Sequence, residues 1–195
     1  MFKINKVLTE NYIGEQNSKT QIILSNSNRD AKNYLASLEF RMNGKNTNVP
    51  HYFISKNGEI TQFMENQWFS SYISDPDVNK NSINVCLENL GWLDKVPLKT
   101  YYVNWIGDIY NGTIFERKWR DYFFWDPYTE DQMNSLSELC IRVCEDMGIN
   151  NKTTGHNTKM NGVQKFSGIA SLSNYSEKFL DVSPAFNFEK LKKDI

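Results

Sequence analysis

Histidine is nearly absent from this chain: His51 and His156 are the only two in 195 residues. Cysteine is almost as scarce, with Cys86, Cys140 and Cys144 making an odd count without a CxxC pair. That excludes a disulfide framework and fits a reducing compartment. No run approaches the roughly 20 apolar residues of a membrane-spanning helix. The opening Met1-Phe2-Lys3-Ile4-Asn5-Lys6 leads into no apolar stretch of signal-peptide length. The expectation is a protein made and kept in a cytoplasm without a signal peptide, or leaving it by lysis or assembly rather than by secretion. Net charge of one sign is missing too. The formal value of -1 gives no general basic surface, so no nucleic acid is expected as a partner.

What is present is an ordinary globular balance, 39% hydrophobic and 23% charged, with enough length for a sizeable core. Residues 1–19 are polar and weakly patterned and read as an N-terminal arm. Residues 20–195 read as a single domain. Gln21-Ile22-Ile23-Leu24 suits a buried strand and runs into the loop-like Ser25-Asn26-Ser27-Asn28. Asp30 can cap a helix to about Met42, with Ala31, Leu35, Leu38 and Met42 on one face and Asn43-Gly44 as its stop. His51–Ser55 and Glu59–Phe63 flank Lys56-Asn57-Gly58, a hairpin signal. Asn81 to Glu88 alternates apolar and polar as a further strand.

Aromatics reach 14% and crowd between Tyr101 and Tyr128. Tyr101 to Phe115 reads as a second hairpin with Asn111-Gly112 at its tip. Trp119, Tyr122, Phe123, Phe124 and Trp125 form a dense patch, read first as core, then as a protein-contact anchor beside Arg117 and Arg120, then as a sugar-stacking surface. Thr129 and Gln132 have capping-box spacing at the head of a long helix. Its apolar face carries Met133, Leu136, Leu139, Cys140, Val143, Cys144 and Met147, and Gly148 ends it. Residues 157–180 are polar and read as loop. Phe186 to Leu191 reads as a short closing helix.

The chemistry-bearing residues are few. His156 follows Gly155 at an expected strand end, and Asp181 follows on a loop, so the two could share a metal. The order of motifs resembles the zinc-dependent N-acetylmuramoyl-L-alanine amidase and peptidoglycan recognition protein superfamily, including phage lysozyme-amidases. The resemblance rests on Pro50-His51-Tyr52-Phe53-Ile54, Gly58-Glu59-Ile60-Thr61-Gln62, Ser82-Ile83-Asn84-Val85-Cys86-Leu87-Glu88-Asn89, Tyr128-Thr129-Glu130-Asp131-Gln132, Gly155-His156 and Asp181-Val182-Ser183-Pro184-Ala185-Phe186. It implies an α/β fold, a mixed central β-sheet flanked by helices, with insertions at about 91–127 and 157–180.

The resemblance also implies three zinc ligands, at Ser25, His156 and Asp181. A serine hydroxyl is a poor zinc ligand. The general base of active bacterial members falls on Cys86, with Glu88 two residues on, and the family's nearby lysine falls on Phe179. First ligand, base and cation are altered together. The implied reading is therefore a lapsed amidase with no cofactor expected and vestigial metal positions Ser25, His156 and Asp181. His51, Tyr52, Cys86 and Glu88 would line the substrate groove. Were the protein active, Glu88 and His51 would be the catalytic candidates and zinc the cofactor. Each residue also has a plain structural reading. His156 and Asp181 can be hydrogen-bonded loop residues, and Cys86, Cys140 and Cys144 can be core. Expected partners are other virion proteins, in a phage tail or baseplate, or peptidoglycan. The alternatives are a peptidoglycan-binding module and a working endolysin-like amidase.

Overall fold

A computed structural model describes residues 3–8, 15–43, 48–73 and 75–195. The helix stop expected at Gly44 and the side chain of Met42 lie outside the described residues, as does part of the 1–19 segment. What is described of that segment is not all arm: β1 (Ile4–Lys6) pairs in parallel with a strand of the main sheet.

The main sheet adds β2 (Gln21–Asn26), β3 (Tyr52–Ile54), β4 (Ile60–Gln62), β5 (Ser82–Leu87) and a last strand, β11 (Gly168–Ser171). Its order is β1-β4-β3-β5-β2-β11. The β3–β4 hairpin is antiparallel, and the remaining pairs are parallel. Central strands β2 and β5 are buried at every position, as expected where both faces are covered. One face packs on helix α3 (Glu130–Met147) through Ile22, Leu24, Ile83, Val85, Leu87, Met133, Leu136 and Cys140. The other packs on helix α1 (Ala31–Asn43) and the 63–73 segment through Leu38, Phe53, Phe63 and Cys86. A smaller cluster joins Ile23 to Val78 of helix α2 (Pro76–Asn81) and to Leu172.

Local chemistry explains the ends. Asp30 Oδ1 accepts from Asn33 N–H at 2.8 Å to start α1. Thr129 caps α3 through Gln132 N–H at 3.2 Å, and Gly148 ends it at φ 67°. The capping box is only half made, because Gln132 sends its Nε2 inward to the carbonyls of Ile54 and Glu88. Cys140 and Cys144 are core residues, and burial pushes the Cys144 thiol up to about 11.

The β3–β4 turn closes with Gly58 N–H on the Ser55 carbonyl at 2.9 Å. Gly58 sits at φ 81°, and a Cβ there would meet Ser135 Oγ at 2.8 Å and the Asp131 carbonyl oxygen at 2.9 Å. Both the backbone conformation and the contact with α3 oppose a side chain. Gly58→Ala is expected to lower unfolding free energy by about 2 kcal/mol in urea titration; a loss below about 0.5 kcal/mol would show that the turn relaxes freely.

Residues 91–127 build a second sheet: β6 (Trp92–Lys95), β7 (Tyr102–Val103), β8 (Ile109–Tyr110), β9 (Phe115–Trp119) and β10 (Tyr122–Trp125), ordered β8-β7-β6-β10-β9 and antiparallel throughout. The expected second hairpin is present between β7 and β8, but its tip is at Asn104 to Gly107, not at Asn111-Gly112. Asn104 Oδ1 accepts from the amides of Ile106 and Asp108, which makes it the turn-former. Of the aromatic patch, Trp119, Tyr122 and Phe124 are half-buried. Trp125 is fully buried against Trp119 and Tyr122, while Phe123 is exposed. A final helix, α4 (Phe188–Asp194), is capped by Asn187.

Candidate functional site

Parallel strands β5 and β2 end side by side, with Ser25 opposite Cys86 and Asn26 opposite Leu87. The carboxyl ends of such strands are where an open α/β sheet offers a binding crevice. Strand β11 lies on the far side of β2, in register Ala170–Ile23 and Ser171–Leu24. The chain beyond that last pair enters a short 3-10 turn at Leu172, whose side chain packs with Ile23 and Tyr72. The residue at the strand end beside Ser25 is therefore Leu172.

This corrects the placement of His156. The segment 157–180, read as loop, contains strand β11, which takes the sheet position expected for the residues before His156. The 152–154 segment flanks β11 on its outer side, with Thr154 N–H on the Ile169 carbonyl and Ile169 N–H on the Lys152 carbonyl. Adjacent strands stand about 4.8 Å apart, so the His156 segment runs about 10 Å from β2. His156 itself is exposed. Its Nδ1 accepts from Thr158 N–H at 3.3 Å and lies 3.0 Å from Thr158 Oγ1.

Ser25 is buried, and its Oγ is 3.0 Å from the hydroxyl of Tyr72, which lies 3.5 Å from that of Tyr34. Cys86 completes this knot beneath them. Burial pushes its thiol up to about 11, which removes it as a nucleophile at neutral pH. Asp181 is 9% exposed, and burial pushes its carboxyl up to about 7 against the opposing pull of the Asn26 backbone and the Arg120 guanidinium. Arg120 is anchored on the carbonyls of Glu177 and Phe179. Asn26 takes the Tyr128 hydroxyl at 2.7 Å, and Tyr128 in turn accepts from Ser183 N–H at 3.2 Å.

The expected groove residues stand elsewhere. His51 is fully buried: Nδ1 accepts from Asn84 N–H at 3.1 Å, and Nε2 donates to the Trp68 carbonyl at 3.0 Å. Burial, with Lys19 nearby, holds its ring down to about 3, so it is neutral. Tyr52 belongs to the α3-facing core and bonds Asn66. Glu88 uses both carboxylate oxygens on backbone amides, Ala31 at 2.8 Å and Lys56 at 2.7 Å, tying the start of α1 to the β3–β4 turn. That is a structural task, with one lone pair of each oxygen committed to a backbone amide.

Among the described residues, no three His, Cys, Asp or Glu side chains come together as metal ligands would. The residues that sequence reading missed are Tyr72 and Leu172. The only signal for Leu172 was the small apolar run Ile169-Ala170 ahead of Asp181. Tyr72 carried none, since its segment reads as irregular.

A family profile for N-acetylmuramoyl-L-alanine amidase matches residues 6–166. Among solved structures, a selenomethionine AmpD derivative superimposes with a TM-score of 0.60 at 13% identity, covering 100% of this chain and 96% of that one. The endolysin N-acetylmuramoyl-L-alanine amidase LysCS from Clostridium intestinale gives 0.57 at 13% identity, covering 99% and 95%. AmiD from E. coli, in complex with anhydro-N-acetylmuramic acid-L-Ala-D-gamma-Glu-L-Lys, gives 0.58 at 15% identity, covering 93% of this chain and 59% of that one. At such identities the likeness carries the fold. No curated protein sequence matches.

Proposed function

The chain belongs to the N-acetylmuramoyl-L-alanine amidase family, and on that premise we propose that it is a non-hydrolytic member, a binding or structural protein on the amidase scaffold. The observation that carries this reading is the donor set at the strand ends. Ser25 contributes a neutral hydroxyl engaged by Tyr72, Leu172 an alkyl group, and Asp181 a single buried carboxyl. Tetrahedral zinc in a catalytic site takes three imidazole, thiolate or carboxylate donors plus water. One of three is present, so the residues do not fit zinc, and no hydrolytic step is derived through it.

Peptidoglycan is the ligand class that the family suggests. The virion setting expected from the sequence, a tail or baseplate component made in a host cytoplasm, belongs to the same proposal. An active endolysin-like amidase is the competing reading.

Metal analysis of the purified full chain after zinc incubation and desalting, with assay of muramoyl–L-alanine amide cleavage, separates the two. The expected result is zinc far below one per chain and no cleavage above background. Stoichiometric zinc with cleavage would overturn the proposal. A gain-of-function variant sharpens the test. Ser25→His with Leu172→His is expected to bind zinc at least about 100-fold more tightly than the parent, because the pair then joins Asp181 as a three-donor set. Either single substitution should gain little.

A further inference from the structure

A second concave site lies outside the strand-end crevice, where β9 of the added sheet meets the 155–158 loop and the start of α4. It has a volume of about 400 Å3 and is lined by Arg117, Lys118, Trp119, His156, Phe186 and Phe188, among others. We propose that this groove binds an acidic saccharide, its ring stacked on the aromatic walls and its carboxylate or phosphate held by Arg117. The proposal goes beyond the non-hydrolytic reading and uses none of Ser25, Leu172 or Asp181.

The lining is donor-rich. The amide N–H of Thr158 and Nδ2 of Asn174 both stand 3.3 Å from Nδ1 of His156, so that nitrogen accepts. In the neutral ring the proton is then fixed on Nε2, which is left as a donor. Arg117 is exposed on β9, and its backbone carbonyl takes Trp125 Nε1–H at 2.8 Å. Lys118 follows it on β9 with its ammonium 5.6 Å from the ring centre of Phe123, so Arg117 is the cation of the groove, and Glu189 is the only acidic residue in the lining.

The aromatic walls are rigid. Trp119 has the Arg120 guanidinium 4.3 Å from its ring centre and Trp125 at 5.5 Å, and Phe186 packs on Phe188 at 4.8 Å. A fixed apolar wall facing several donors suits a ring ligand rich in acceptors and bearing negative charge. Two other depressions of similar size, about 390 Å3 around Gly58 and Asp131 and about 430 Å3 around Gln67 and Met147, have no aromatic wall.

Ligand-observed NMR titration of the full chain tests this with N-acetylmuramic acid, glucose 6-phosphate and neutral N-acetylglucosamine. At least one acid is expected to bind about tenfold more tightly than the neutral sugar, as one charge-assisted hydrogen bond would give. Which acid does so identifies the anion as carboxylate or phosphate. Arg117→Ala should remove that preference while leaving the melting temperature unchanged. Trp119→Phe, which keeps an aromatic wall, should weaken all sugars less than Arg117→Ala weakens the acids. Equal binding of the neutral sugar, unchanged affinity in Arg117→Ala, or no binding at tens of millimolar would overturn the proposal. None of these outcomes touches zinc content or amide cleavage, so the two proposals fail separately.

Discussion

Asp126→Ala should cost about 3–4 kcal/mol of stability, the largest loss expected from any single side chain that joins the two sheets. Asp126 is 2% exposed and sits where the added sheet returns to the body. Its carboxylate takes the Lys56 ammonium at 2.7 Å, the Leu90 amide at 2.8 Å and the Tyr110 hydroxyl at 2.8 Å. Its own backbone carbonyl accepts from Asn89 Nδ2 at 2.9 Å. Lys56 belongs to the β3–β4 turn, Leu90 to the end of β5's extension, and Tyr110 to β8, so one carboxylate closes three segments. Truncation leaves the part-buried Leu90 amide unpaired and the Lys56 ammonium with the Pro127 carbonyl in place of a carboxylate, and those costs dominate over the lost attraction itself. Asp126→Asn keeps the acceptor oxygen and should cost only about half as much. Urea unfolding of both variants gives the magnitudes, and amide exchange across β6 to β10 shows whether the added sheet loosens first. A loss under about 1 kcal/mol in the alanine variant would mean that the aromatic packing around Trp125 holds the sheets together without Asp126.

The framework of this fold was legible because its signals are local and periodic. Thr129, Gly148 and the three-and-four spacing from Met133 to Cys144 define α3 almost residue by residue. The Asn57-Gly58 turn and the apolar run from Ile22 to Leu24 give the sheet its hairpin and its buried strand. What stayed hidden depended on pairing across long sequence separations. Gly168-Ile169-Ala170-Ser171 is too short and too small to announce a strand, yet it gains its place by pairing with β2 from far along the chain. Missing it shifted the expected strand end onto His156, where a glycine beside a rare histidine drew attention.

The same limit applies to Glu88, His51 and Tyr52. Residue type and spacing made them groove candidates, but spacing cannot say what a side chain's partners are. The structure engages His51 with an amide and a carbonyl, so its ring has no lone pair or proton left for a substrate, and it holds Glu88 between two backbone amides as a tie between α1 and the β3–β4 turn. Ser25 is the reverse case. Its chemistry was readable from its identity alone, and Tyr72 adds only that the hydroxyl is occupied.

Asp181→Asn should make the protein more stable at pH 8 by about 2–4 kcal/mol while changing little at pH 4. Asp181 has its folded value raised to about 7 from 3.8. The native state therefore keeps a proton that the unfolded state has released, and native stability declines as pH climbs from about 4 to 7. His51 works the opposite way. Its folded value is lowered to about 3 from 6.5, so the unfolded state gains the proton and stability declines as pH falls below about 6.5. Between about pH 4 and 6.5 the two slopes cancel, each worth roughly 1.4 kcal/mol per pH unit at most, and these two groups give the parent a flat profile there. Removing the Asp181 carboxylate exposes the His51 slope. The variant should lose about 3 kcal/mol between pH 6.5 and 4, where the parent loses little. The other groups facing Asp181 do not intervene: Arg120 stays charged throughout, and burial lifts the titrations of Tyr128 and Cys86 well above this range. Lys19 beside His51 is lowered to about 8 and acts only above that pH. Urea titrations at pH 4, 6 and 8 decide it. An advantage for Asp181→Asn that is the same at all three would show that Asp181 is ionised in the native state across the range, and so sits in contact with water or a cation after all.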